Sequence, residues 1–148
     1  MICAAYGGEM GSRMNILMLL TPKSEVAYIK DTFSIRQALE KMEHHRYTSI
    51  PIINEAGTYV GTITEGDLLW GIKNKIKPKD WDELKNYNVM DIPRLNDNEP
   101  IGITEKAEDL FETALKQNFV PVIDDSNTFI GIVTRRKIMS YIAEKTMR

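Results

Sequence analysis

At 148 residues, 43% hydrophobic and 27% charged, with a formal net charge of −2, the chain has room for one compact domain or two small interlocked ones. That composition excludes a disordered, collagen-like or coiled-coil chain, and the slight acidity argues against nucleic-acid binding, which needs a basic footprint. The longest apolar run, residues 16–20, is far too short to span a membrane, and a lone cysteine, Cys3, allows no intrachain disulfide; both fit a cytoplasmic protein.

Residues 1–13 lack a basic stretch ahead of an apolar one, and Tyr6, Gly7, Gly8 and Glu9 interrupt them. They are expected to form a loose tail before a start at Met10 or Met14, not a signal peptide. Residues 26–29 read as a short strand. Ser34 and Gln37 then have capping-box spacing, each side chain taking an otherwise unpaired backbone N–H. Ile35, Ala38, Leu39 and Met42 follow at i, i+3, i+4 and i+7, which predicts a helix with one buried stripe. Residues 49–53 and 59–64 read as strands of a hairpin turned by Asn54-Glu-Ala-Gly57. Leu68, Leu69 and Ile72 mark a short helix. Residues 73–87 are charged and carry Pro78 and Trp81, which predicts a linker with at most one helical turn.

The same string then recurs. Residues 50–64 align without gaps on residues 120–134 at an offset of 70, and extension to Ile72 and Ile142 gives 6 identities in 23 pairs. In this second copy Arg94-Leu95 is the weak first strand. Ala107, Leu110, Phe111, Ala114 and Leu115 give the helical stripe, residues 119–123 and 129–134 the hairpin, and Ile138, Met139 and Ile142 the inward face of a last helix. Each copy is β-α-β-β-α, and at about 55 residues its core alone is marginal, so the copies are expected to bury their apolar faces together.

The markers Tyr47-Thr-Ser-Ile-Pro-Ile52, Val60-Gly-Thr-Ile-Thr-Glu-Gly-Asp67, Phe119-Val-Pro-Val122 and Ile130-Gly-Ile-Val-Thr134 recur in this order, spacing and duplication. In this the chain resembles a tandem pair of CBS domains, a Bateman module, over roughly residues 15–145. The resemblance implies an α+β fold in which two repeats pack as a pseudo-dimer. The boundaries are a tail at 1–13, a first CBS domain at 14–77, a linker at 78–87 and a second CBS domain at 88–148. Asp91-Ile-Pro-Arg-Leu95 before Pro100, Asn118-Phe-Val120, and the run from Phe129 to Arg136 are more narrowly similar to small Firmicute CBS-pair proteins that bind cyclic di-AMP.

From the residues alone, Thr64 and Asp67 have two readings. They form a capping box in any helix, or, where a strand becomes a helix, they offer an ionised carboxylate to two adjacent hydroxyls. In CBS modules the Asp takes the ribose hydroxyls and the Thr lies near the phosphate, so the resemblance favours the second reading. The second copy has Lys137 at that position, which makes the two sites unequal. Arg135 and Arg136 follow Thr134 at a helix N-terminus, and either hold a phosphate or are a solvated pair. In the cyclic di-AMP binders an arginine of this pair reaches phosphate. Val26, Ala27 and Tyr28, with Tyr47, Thr48, Ser49 and Pro51, match segments that flank the base. Glu25 stands where cyclic di-AMP binders carry a basic residue, which leaves AMP, ADP and ATP open.

His44 and His45 form a solvated helix end without metal-ligand spacing. The P-loop, dinucleotide-binding and nucleophile-elbow motifs are absent from the sequence. The expectation is therefore a non-catalytic module with no cofactor or metal, whose ligand is an adenine nucleotide. Its expected partners are a second copy of itself, through residues 14–20 and Trp70, and a regulated protein, with neither nucleic acid nor membrane. A ligand-free interaction scaffold is the rival.

Overall fold

The computed structural model describes residues 15–147, so the tail expected at 1–13, with Cys3, lies outside the described residues. The described chain forms two compact units, Ala27–Asp97 and a second made of residues 15–26 with 98–147.

In the Ala27–Asp97 unit, strands β2 (Ile29–Lys30), β3 (Ser49–Ile53) and β4 (Tyr59–Thr64) form one sheet, β2 parallel and β4 antiparallel to β3. Helix α1 (Ile35–His45) makes the crossover that the parallel pair requires. It starts on the expected box: Ser34 Oγ accepts from the Gln37 N–H at 3.1 Å, and Gln37 Oε1 from the Ser34 N–H at 2.8 Å. Ile35, Ala38 and Met42 are buried, and Leu39 packs partly against the same core. Asn54 Oδ1 accepts the Thr58 N–H at 2.9 Å across the hairpin, and Gly57 takes φ 86° there. Helix α2 (Glu65–Gly71) follows β4 directly.

The other unit repeats the plan with a fourth strand. Its sheet runs β1 (Thr21–Pro22), β7 (Phe129–Thr134), β6 (Phe119–Ile123) and β5 (Ile101–Gly102), with helices α3 (Ala107–Ala114) and α4 (Arg135–Thr146). Both hairpins shift register at the same step, between Ile52 and Ile53 and between Val122 and Ile123. Asp124 Oδ1 takes the Thr128 N–H at 2.9 Å, and Asn127, aligned with Gly57, has φ 64°, which asparagine tolerates.

Sequence repeat and compact unit divide the chain differently. Ile16 and Leu19, which precede the first copy's helix, are 0% and 3% exposed in the core of the unit that holds the second copy. Leu84, Val89 and Ile92, from the expected linker and beyond, complete the core of the Ala27–Asp97 unit. Two aligned glycines make room for these connections. A Cβ on Gly131 would strike the Thr21 carbonyl and Leu20, and one on Gly61 would strike the Asp97 carboxylate.

Several expected details are corrected. Arg94-Leu95 is not a strand; the second copy's first strand is Ile101–Gly102, parallel to β6. The strand expected at 26–29 starts at Ile29, and Val26, Ala27 and Tyr28 approach it outside regular structure. Leu115, Met139 and Ile142 do not face inward; they are 82%, 63% and 43% exposed, and of the last helix's expected stripe only Ile138 is buried. The linker is more structured than one turn, with a π-helical stretch at Ile72–Ile76 and a 3₁₀ stretch at Trp81–Asn86.

A carboxylate at a strand–helix junction

The strand-to-helix junction after β4 gathers several expected site residues. Ser49 lies opposite Thr64 in the ladder, Pro51 opposite Thr62, and the Thr48 carbonyl accepts the Glu65 N–H at 2.9 Å. Thr64 caps α2: its hydroxyl accepts the Asp67 N–H at 3.0 Å, and Asp67 Oδ2 returns to accept the Thr64 N–H at 3.1 Å. The capping reading of the pair is therefore realised. Asp67 does more than cap, because Oδ1 accepts the Leu95 N–H at 3.2 Å from far along the chain. The residue is only 8% exposed. Both carboxylate oxygens thus already hold a backbone donor, and with so little surface open a new hydroxyl meets an occupied acceptor.

The other expected residues are spread around this junction. Val26, Ala27 and Tyr28 lead into β2, which pairs with β3 one step beyond Pro51. Tyr47 is 40% exposed and stacks on His45, ring centroids 5.3 Å apart. Thr134, Arg135 and Arg136 belong to the other unit, at the aligned junction. There the Asn118 carbonyl accepts the Arg135 N–H at 2.9 Å, the counterpart of the Thr48–Glu65 bond. Thr134 Oγ1 caps the Lys137 N–H at 3.1 Å, and with lysine in the third position no reciprocal bond forms. Arg135 Nε donates to the Ala114 carbonyl at 2.9 Å, which fixes its guanidinium against α3, while Arg136 is exposed.

Two charged residues on either side of Leu95, Arg94 and Asp97, were not assigned to the site by sequence reasoning. Arg94 grips Asp97 with two donors, Nε to Oδ1 at 2.8 Å and Nη2 to Oδ2 at 3.2 Å, and Asp97 Oδ1 also accepts the Thr62 N–H at 2.9 Å. Burial pushes the Asp97 carboxyl up, but the Arg94 hydrogen bonds, the Thr62 N–H and the Arg94 charge together leave it below its ordinary value. Arg94 is raised, mainly by its hydrogen bond to Asp97. The opposite charges three residues apart, bracketed by Pro93 and Pro100, were the available signal.

A separate groove of about 920 Å³ lies on the helical side of the Ala27–Asp97 unit, lined by Leu39, Met42, Leu68, Leu69, Ile72 and Trp81 together with charged residues of both signs. Asp67 does not line it, so this groove and the carboxylate junction are different places. No helix among the described residues is long and apolar enough to cross a membrane, and no cluster of metal-ligating side chains occurs among them.

Two β-α-β-β-α units with matching caps, turns and register shifts define a tandem repeat protein of mixed α and β structure. The model of the CBS domain family matches residues 19–74 and 89–144, and the chain belongs to that family. An uncharacterized protein of Methanopyrus kandleri is 31% identical over 99 residues, 67% of this chain and 48% of its own length, so the chain spans about half of that relative. Among solved structures, CbpB in complex with cyclic di-AMP superposes with a TM-score of 0.81 at 26% identity, covering 95% of this chain and 91% of CbpB. CBSX2 in complex with AMP gives 0.70 at 25% identity, covering 90% and 98%.

Proposed function

We propose that the chain is a non-catalytic regulatory module that binds an adenine nucleotide, cyclic di-AMP before others, and passes its occupancy to a partner protein. The observation that carries this reading is the likeness to CbpB in complex with cyclic di-AMP across nearly the whole of both chains. Asp67 is the acceptor for ribose hydroxyls, with Thr64 beside it. Thr48, Ser49 and Pro51 on β3 and the preceding Tyr47, with Val26, Ala27 and Tyr28, flank the base. Thr134 and the two arginines after it serve the phosphates; Arg136 is the more adaptable, since Arg135 is tethered through Nε. A cation at a helix N-terminus opposes the helix dipole, and a bound anion relieves that cost. AMP is the second reading, favoured by the likeness to CBSX2 with AMP and by the acidic Glu25.

The test is calorimetric titration of wild type and Arg136→Ala with cyclic di-AMP, AMP, ADP, ATP and adenosine. Cyclic di-AMP should bind tightest. The substitution should weaken nucleotides about ten-fold or more and adenosine hardly at all, since adenosine has no phosphate to lose. AMP or ATP binding more tightly than cyclic di-AMP would replace the ligand with a linear nucleotide. Binding by none of the five would leave an interaction scaffold.

A further inference from the structure

Between Ile92, 1% exposed in one unit's core, and Ile101, 3% exposed in the other's, the chain passes from one compact unit to the next. No apolar side chain is buried along residues 93–100, and that of Leu95 is 85% exposed. The passage is held by polar contacts. Leu95 donates to Asp67, and Asp97 accepts from Thr62 and Arg94. Further along, Asn98 Nδ2 donates to the Phe119 carbonyl, and the Glu99 N–H donates to Gln117 Oε1.

These contacts can let go. The Arg94 and Asp97 side chains are 18% and 39% exposed, and an ion pair partly open to water shifts an equilibrium by about five-fold. The Leu95 bond, at 3.2 Å, ends on the carboxylate assigned above to ribose. Asp67 keeps only 8% of its surface open, so hydroxyls arriving there contend with a resident donor.

We propose that residues 94–97 are a latch that competes with the nucleotide for Asp67. Ribose hydroxyls displace the Leu95 N–H, the stretch loosens, and occupancy of the site is felt in the chain that leads out of the unit. This rests on the nucleotide reading and adds the regulation of that same site. The latch needs no hinge glycine, because nothing hydrophobic has to be pulled out of a core.

The experiment is amide hydrogen exchange by NMR on the full chain, as wild type, Asp97→Asn and Arg94→Gln, each with and without cyclic di-AMP and AMP. Without ligand, either substitution should speed exchange at Leu95 about three- to five-fold, with the Ile50 and Ile63 amides of the core unchanged. Saturating nucleotide should speed Leu95 exchange in the wild type, and both variants should bind it about two- to five-fold more tightly. Unaltered Leu95 exchange in both ligand-free variants would overturn the latch, whatever binds. Tighter binding by Asp97→Asn but weaker by Arg94→Gln would trace the effect to a freed Arg94 and overturn it too. Should neither nucleotide bind any of the three, the nucleotide reading falls. Faster Leu95 exchange in both variants would then still support the latch as a conformational element.

Discussion

Asp67→Asn tests whether the carboxylate is only a cap. Read as the returning partner of the capping box alone, the substitution costs under ~1 kcal/mol, since the asparagine side-chain oxygen can still accept the Thr64 N–H. The structure gives a larger figure. Oδ2 accepts from Thr64 and Oδ1 from Leu95, each oxygen serving a different backbone N–H. An amide offers one acceptor and one donor, so one of the two N–H groups must face Nδ2 without a partner. A buried donor left unpaired costs about 1–3 kcal/mol. For a chain of this size that lowers Tm by roughly 3–10 °C. Urea denaturation reads the same loss as a lower midpoint with an unchanged slope. A midpoint equal to that of wild type would refute the reasoning, because it would mean that the Leu95 bond contributes nothing in solution. Titration of the variant supplies the second half. Losing the charged acceptor should weaken nucleotide binding by about 1.5–3 kcal/mol. Lost stability with unchanged affinity would leave Asp67 a structural residue.

Three further outcomes follow from the same geometry. Cutting at the repeat boundary, into residues 14–77 and 79–148, takes Leu84, Val89 and Ile92 from one core and Ile16 and Leu19 from the other. At about 1.5–3 kcal/mol per buried side chain, neither piece should unfold cooperatively in circular dichroism; sharp transitions for both near that of the whole chain would contradict this. The chain should form homodimers: Leu69, Trp70 and Trp81 are 57%, 55% and 60% exposed, and light scattering should give the mass of two chains, returning to one in Leu69→Glu. A single-chain mass for wild type at micromolar concentrations would reject it. Asp97 has a depressed folded pKa, so its contribution to stability is complete above the unfolded value of roughly 3.9 and is lost as pH falls through the lower folded value. Denaturation midpoints of wild type and Asp97→Asn should therefore differ by a constant amount down to about pH 4 and converge below it; a gap that closes between pH 8 and 5 would assign the effect to another group.

What could be read from the sequence was what repeats or is local. The capping boxes, the Asn54–Gly57 turn and its counterpart at Asp124, and all four hairpin strands stand at the residues their patterns indicate, because a period of two, a period of 3.6 and a turn residue are written within a few positions. The first strand of the second copy was placed at Arg94-Leu95, several residues early, and even the repeat's own spacing falls short of it. Ile29 and Ile101 stand 72 residues apart, as do the starts of α1 and α3, whereas the hairpins stand 70 apart. The second copy has lost two residues between helix and hairpin, so an offset fixed on the hairpin points short of the true strand. Met139 and Ile142 turn outward because the last helix meets its core only near its start, through Ile138, with Tyr141 packed partly against the same cluster.

The exchange of connecting segments left almost no trace in the sequence, and it bears on function. Ile16 and Leu19 look like part of the first repeat until their burial is known, and nothing periodic in residues 93–100 says that they are held by side-chain and backbone polar groups and bury no apolar side chain. Under the proposed function, this arrangement bears on what a ligand at Asp67 would do. The carboxylate sits on a helix start whose own cap is local and stable on its own terms, while its second bond reaches a stretch with no buried apolar anchor. A ligand that altered only the cap would perturb one turn of helix. A ligand that takes the second bond acts on the segment with the least to hold it, and that segment is the covalent path from Ala27–Asp97 into the other unit. The aligned junction in the second copy, with Lys137 in place of the carboxylate, has no such bond to release, so the two copies are alike in fold and unlike at this junction.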